Sequence, residues 1–198
     1  MGTTTASAGH CIPSALQRLY FVRFAFALVW AGLLIATAST LNPFSVALLV
    51  LYPAFDVAAA VVDARSAQGT NPVPGLYANV VISLLAAAGL AYATMSGIPG
   101  VLRVWGTWAV VSGLVQLGVG TARRRLGGQW PMILSGAISV LAGAFFVAQA
   151  GQNGAGLSTL AGYATLGGIF FLVSALRLGP TVKKWRERAA SVGSVETS

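Results

Sequence analysis

Charge is what this chain has least of. Only 8% of its 198 residues are Asp, Glu, Lys or Arg, with 4 acids against 12 bases. A soluble globular domain carries about a quarter of its residues charged, so the composition excludes an ordinary soluble enzyme. Cysteine is almost missing as well: Cys11 stands alone, which excludes an internal disulfide framework. The single histidine, His10, lies beside it, and two adjacent ligands are too few for a metal site. No HExxH, GxSxG or GxxxxGK[ST] string occurs, and the apolar stretches contain neither His nor Cys. An intramembrane hydrolase needs a nucleophile with a base, or a metal cluster, and neither can be assembled. The expectation is a protein without catalytic, cofactor-binding or metal-ligating residues.

Apolar residues are what the chain has instead, at 56% and a mean hydropathy of +0.78. Six apolar stretches follow one another at 19–40, 43–62, 76–95, 99–120, 130–149 and 156–177. Each is long enough to cross a hydrocarbon layer roughly 30 Å thick as a helix of about 20 residues. Lipid offers no partner to backbone N–H and C=O groups, and barrel strands would alternate in polarity, so these runs read as helices. The expected fold is all-α: a polytopic membrane protein with six transmembrane helices. Residues 1–18 read as a disordered cytoplasmic leader, 19–178 as the transmembrane domain and 179–198 as a basic cytoplasmic tail.

The basic residues sort the connections. Arg18 precedes the first stretch, Arg65 follows the second, Arg123, Arg124 and Arg125 follow the fourth, and Lys183, Lys184, Arg186 and Arg188 follow the sixth. The other three connections carry no charge. With an even number of crossings every cluster falls on one face, which places both termini in the cytoplasm of a cell (inner) membrane. A competing reading makes the first stretch a secretory signal ending at Ala36-Thr37-Ala38. The net charge of +8 then belongs to topology, not to nucleic acid, for which no groove-reading element exists. The expected partners are the lipid bilayer and, at the tail TVKKWRERAA, anionic lipids; a homo-oligomer is left open.

Internal repetition speaks against the signal reading. The first helices of three successive pairs read LVWAGLLIATA, LLAAAGLAYAT and ISVLAGAFFVA, placing Gly32, Gly89 and Gly143 at one depth. The second helices align Tyr52, Trp105 and Tyr163. The chain therefore reads as three repeated helical hairpins. Small residues let helix backbones approach in lipid, so Gly32, Gly89 and the stripe Ser135, Ser139, Gly143 are expected at helix–helix seams. Tyr52, Trp105 and Tyr163 fall deep in their helices, where packing is favoured over contact with a ligand.

Asp56 is the one carboxylate well inside a stretch, and burying it charged is expensive. Arg23 enters from the same side on the first helix, so an Arg23–Asp56 intramembrane pair is expected, as a tether in preference to a proton-handling site. Asn79, Ser83 and Gln116 can hydrogen-bond between helices.

The segments GGQWPMILSGAISVLAGAFFVAQ and STLAGYATLGGIFFLVSALRLG carry a resemblance to the HdeD-type acid-resistance membrane proteins. These are short-repeat membrane proteins of unknown function built as a six-helix bundle. The shared features are a Gly-Trp start, a Gly-rich first helix, a Gly-Tyr second helix and a closing Ala-Leu-Arg, across about residues 24–180. The resemblance implies a non-catalytic protein contributing to acid or envelope stress tolerance and supplies no catalytic residues. Asp56 and the Ser/Thr-rich leader depart from that pattern. The alternative is a small channel or transporter for protons or a small solute that uses Asp56.

Overall fold

A computed structural model describes residues 12–38, 40–66, 74–122 and 130–195. These hold helices α1 (Ile12–Thr37), α2 (Pro43–Ser66), α3 (Pro74–Ala93), α4 (Gly97–Ala122), α5 (Trp130–Gln149) and α6 (Ser158–Val195). Among the described residues there is no strand. Five helical stretches are long and apolar enough to cross a membrane, so this is a multi-pass membrane protein. One of the five, Tyr77–Ala122, contains both α3 and α4. It doubles back through a short 3-10 turn, Thr94–Ser96, at Gly97, whose φ of +74° suits a residue without a Cβ.

Local chemistry explains the helix starts. Proline opens α2 and α3 and is second in α5, positions where its missing N–H is no loss. At α2 a reciprocal cap forms: the Ser45 amide donates to Asn42 Oδ1 and the Asn42 amide donates to Ser45 Oγ, both at 2.9 Å. One expectation needs correcting here. The disordered leader was expected to run to residue 18, but α1 begins at Ile12, and Gln17 Nε2 donates to the Ala175 carbonyl at 3.0 Å. Helix α6 runs unbroken through Pro180 to Val195 and takes in most of the stretch 179–198 read as the basic tail. Residues 1–11 and the arginine cluster Arg123–Arg125 lie outside the described residues.

The helices form a closed ring in chain order, with α6 returning to α1. The broadest seams are α4–α5, α1–α6 and α2–α3. Along α4–α5 the backbones nearly touch. A Cβ added at Gly106 would lie 2.6 Å from the Gly143 carbonyl oxygen, and one at Gly113 would lie 2.7 Å from that of Gly136. Seven-residue spacing of glycines on both helices makes this approach possible.

Large apolar side chains turn outward, among them Val29, Leu85 and Leu141. The interior of the half nearer the uncharged turns is solid: Trp30, Leu34, Leu49, Leu90, Leu102, Trp105, Leu157 and Leu160 are all essentially inaccessible. The half nearer the arginine-bearing ends holds a cavity.

Candidate functional site: a polar cavity inside the helix ring

At mid-height the cavity ends on a hydrogen-bonded cluster centred on Asp56. Arg23 Nη2 pairs with Asp56 Oδ1. Asp56 Oδ2 accepts from Asn79 Nδ2 at 2.7 Å and from Ser83 Oγ at 2.8 Å. Ser83 Oγ in turn accepts from Trp108 Nε1 at 3.2 Å. The guanidinium carbon of Arg23 lies 4.3 Å from the ring centroid of Phe171, a cation–π contact. The cluster joins α1, α2, α3, α4 and α6. Spacing of four along α3 puts Asn79 and Ser83 on one face, and the same spacing along α4 lines up Trp108, Ser112 and Gln116.

The expected Arg23–Asp56 pair is present, and the side chains are only 13% and 15% exposed. Asp56 accepts three donors across both oxygens, so its charge is compensated in place. A carboxylate held this way links α2 to α1 and α3.

Above the cluster, aromatic rings close the ring's centre. Trp30 stacks on Trp105 at 5.3 Å between centroids, and Trp105 meets Trp108 edge-on at 5.2 Å. Trp30 Nε1 donates to the Leu48 carbonyl at 2.7 Å, on the helical turn next to Pro53, which lacks the N–H that would serve Leu49. Tyr52 packs against Trp30 and Trp105 and also lines the cavity. Tyr163 lines it too, donating from its hydroxyl to Ser139 Oγ at 2.9 Å. Trp105, which the sequence reading aligned with these two tyrosines, is fully buried in the aromatic stack instead.

The cavity measures about 470 Å³ and runs from Tyr52, Trp108 and Tyr163 to Tyr20, Gly75 and Ser174 near the basic ends. Its lining is mixed, with Ser112, Gln116, Ser135 and Ser139 facing aromatic and aliphatic side chains that include Phe55, Phe170 and Phe171. Ser112 is about nine-tenths buried, and its Oγ has no hydrogen-bond partner among the described residues.

The residues expected at seams separate into different places. Gly143 is on the α4–α5 seam, where an added Cβ would lie 2.5 Å from the Gly106 carbonyl oxygen. Gly89 faces α4, 3.2 Å from Val104 Cγ1 by the same measure. Gly32 makes no such approach: nothing lies within 4 Å of its added Cβ, and it faces outward. Ser135 and Ser139 line the cavity, while their neighbour Gly136 takes the seam. Sequence reasoning missed Ser112; the available signal was its place one turn from Trp108 and Gln116.

Among the described residues no three His, Cys, Asp or Glu side chains gather as they would around a metal ion. No family model, curated protein or solved structure matches the chain.

Proposed function

We propose that this chain crosses the cell membrane six times as three hairpins arranged in a ring, with both termini cytoplasmic. Its central cavity binds a small molecule in the manner of a transporter's one-sided binding site, without catalysis. The observation that carries this reading is the asymmetry of the interior. One half is filled by Trp30, Trp105 and the leucines around them, and the other holds a cavity of about 470 Å³ ending on the Asp56 cluster. Ligand pockets of roughly 300–1,000 Å³ with apolar walls and a few convergent polar groups are the usual form of small-molecule sites.

Several observations support the finer points. A 46-residue helical stretch would span about 69 Å at 1.5 Å per residue if it were straight, so its reversal at Gly97 supplies two crossings. Closure of the ring at α1–α6 is what three consecutive hairpins around one axis would give. The aromatic stack argues for a binding site and against a continuous open pore. The stress-tolerance role implied by the HdeD resemblance is carried by that resemblance alone.

Thiol labelling tests the cavity. In a Cys11→Ala background, Ser112→Cys and Gln116→Cys variants should react with a small water-soluble maleimide in inside-out vesicles but not from the opposite side. Leu141→Cys, placed on the outward face, should stay inert. Equal reaction from both sides would indicate a through-pore, and inertness of both cavity variants would remove the cavity as a site.

A further inference from the structure

Building on that reading of the cavity as a ligand site, we propose that its ligand is a single-chain amphipath with an uncharged, hydrogen-bonding head. The ligand is admitted from the bilayer between α5 and α6.

The route follows from how unevenly the ring is closed. Of the neighbouring pairs, α5 and α6 are the most thinly packed. Their side-chain contacts gather toward the uncharged end, where Thr159 Oγ1 donates to Gln149 Oε1 at 3.1 Å, Phe146 meets Tyr163 edge-on, and Tyr163 holds Ser139. Toward the basic end no hydrogen bond or ring contact joins the two helices among the described residues. Met132 and Leu166 each line the cavity and are 39% exposed, as residues at the lip of an opening are. Gly167 lines the cavity with nothing within 4 Å of an added Cβ. The other flank of α6 is closed, because Gly168 lies against Ala27 and Phe24 of α1, and Tyr20 packs against Phe171. An opening in the wall of a membrane-embedded bundle leads to lipid, so the molecules that reach it are amphipaths.

The head chemistry follows from the polar lining. Among the described residues the cavity's charges are Arg23 and Asp56, and they neutralise one another. Asp56 already accepts from three donors, one of them the Arg23 guanidinium. A charged head would be desolvated there without a counter-charge, which is costly in a low-dielectric site. Of the two buried side-chain groups without a partner among the described residues, the Trp105 and Ser112 groups, the one that lines the cavity is neutral: the Ser112 hydroxyl, both a donor and an acceptor, with the Gln116 amide one turn away. Phe170, Phe171 and Leu166 supply an apolar wall from this polar floor to the gap. The volume suits one drug-sized molecule.

Photolabelling of the full chain in lipid nanodiscs tests this with a photoactivatable monoacylglycerol. Label is expected on α4 around Ser112 and Gln116, displaced by excess monolauroylglycerol. Glycerol, laurate and dodecyltrimethylammonium should each compete at least tenfold less well. Gly167→Leu, whose new side chain enters open space, and Met132→Trp should each cut the α4 label at least tenfold while leaving label at the outward-facing Leu141 unchanged. An α4 label unaffected by both variants would overturn the lateral route, and competition by glycerol or laurate equal to monolauroylglycerol would overturn the head assignment; either result leaves the cavity as a ligand site. No α4 label in a protein whose Ser112→Cys variant reacts with maleimide would overturn the amphipath alone. No label together with an inert thiol would sink both readings.

Discussion

Asp56 shows how one expensive residue organises its surroundings. Removing a single partner from a buried pair leaves a charge uncompensated, at a cost of about 3–5 kcal/mol. Asp56→Ala and Arg23→Ala should therefore each destabilise strongly, whereas the double variant should lose less than the sum. The coupling in a double-mutant cycle is expected at about 0.5–3 kcal/mol, read from unfolding titrations in detergent micelles. Additivity would show that the two side chains do not support one another. This pair was legible because ionisable residues in apolar runs are rare and must find each other. Ser112 was not legible. A serine in a membrane helix usually serves its own backbone, as Thr107 and Ser174 do by donating to the carbonyls four residues earlier, and only the fold reveals one left over.

At the scale of elements, the sequence pattern says little about angle. Gly32, Gly89 and Gly143 align in sequence, yet of the three only Gly143 is wedged against a facing backbone, because helices of one pattern can be rotated differently about their axes. Gly143→Ala should cost about 1–3 kcal/mol through overpacking at the Gly106 carbonyl. Gly32→Ala should stay within about 1 kcal/mol of the parent and lean toward stabilisation, since alanine is the better helix former. Melting temperatures of the two purified variants would compare them directly; equal losses would mean that the α4–α5 glycines are not a close seam. The start of α1 was misjudged for a simpler reason. Hydropathy marks where lipid stops, but a helix continues into water wherever its side chains find partners, as Gln17 does on α6.

For the molecule as a whole, the all-helical, lipid-facing character was readable from composition, because so few charged residues leave no alternative solvent. Which helices neighbour each other was not readable, since apolar surfaces in lipid carry little directional information. The ring makes a firm prediction about sidedness. Reporter fusions at Gly97 and Gly154 should report one side of the membrane, and fusions at Gly69 and Gly127 the other. A shared location for Gly97 and Gly127 would mean that α4 does not cross.

Joining α1 to α6 also has a consequence for biosynthesis. Helix α1 leaves the ribosome well before α6 and buries one flank against it, so α1 can meet α2 early while its second partner is still being translated. Until α6 is inserted, the flank bearing Phe24 and Ala27 stays against lipid or a chaperone. Nascent chains stalled before α6 should accordingly be far better substrates for membrane proteases than the finished protein.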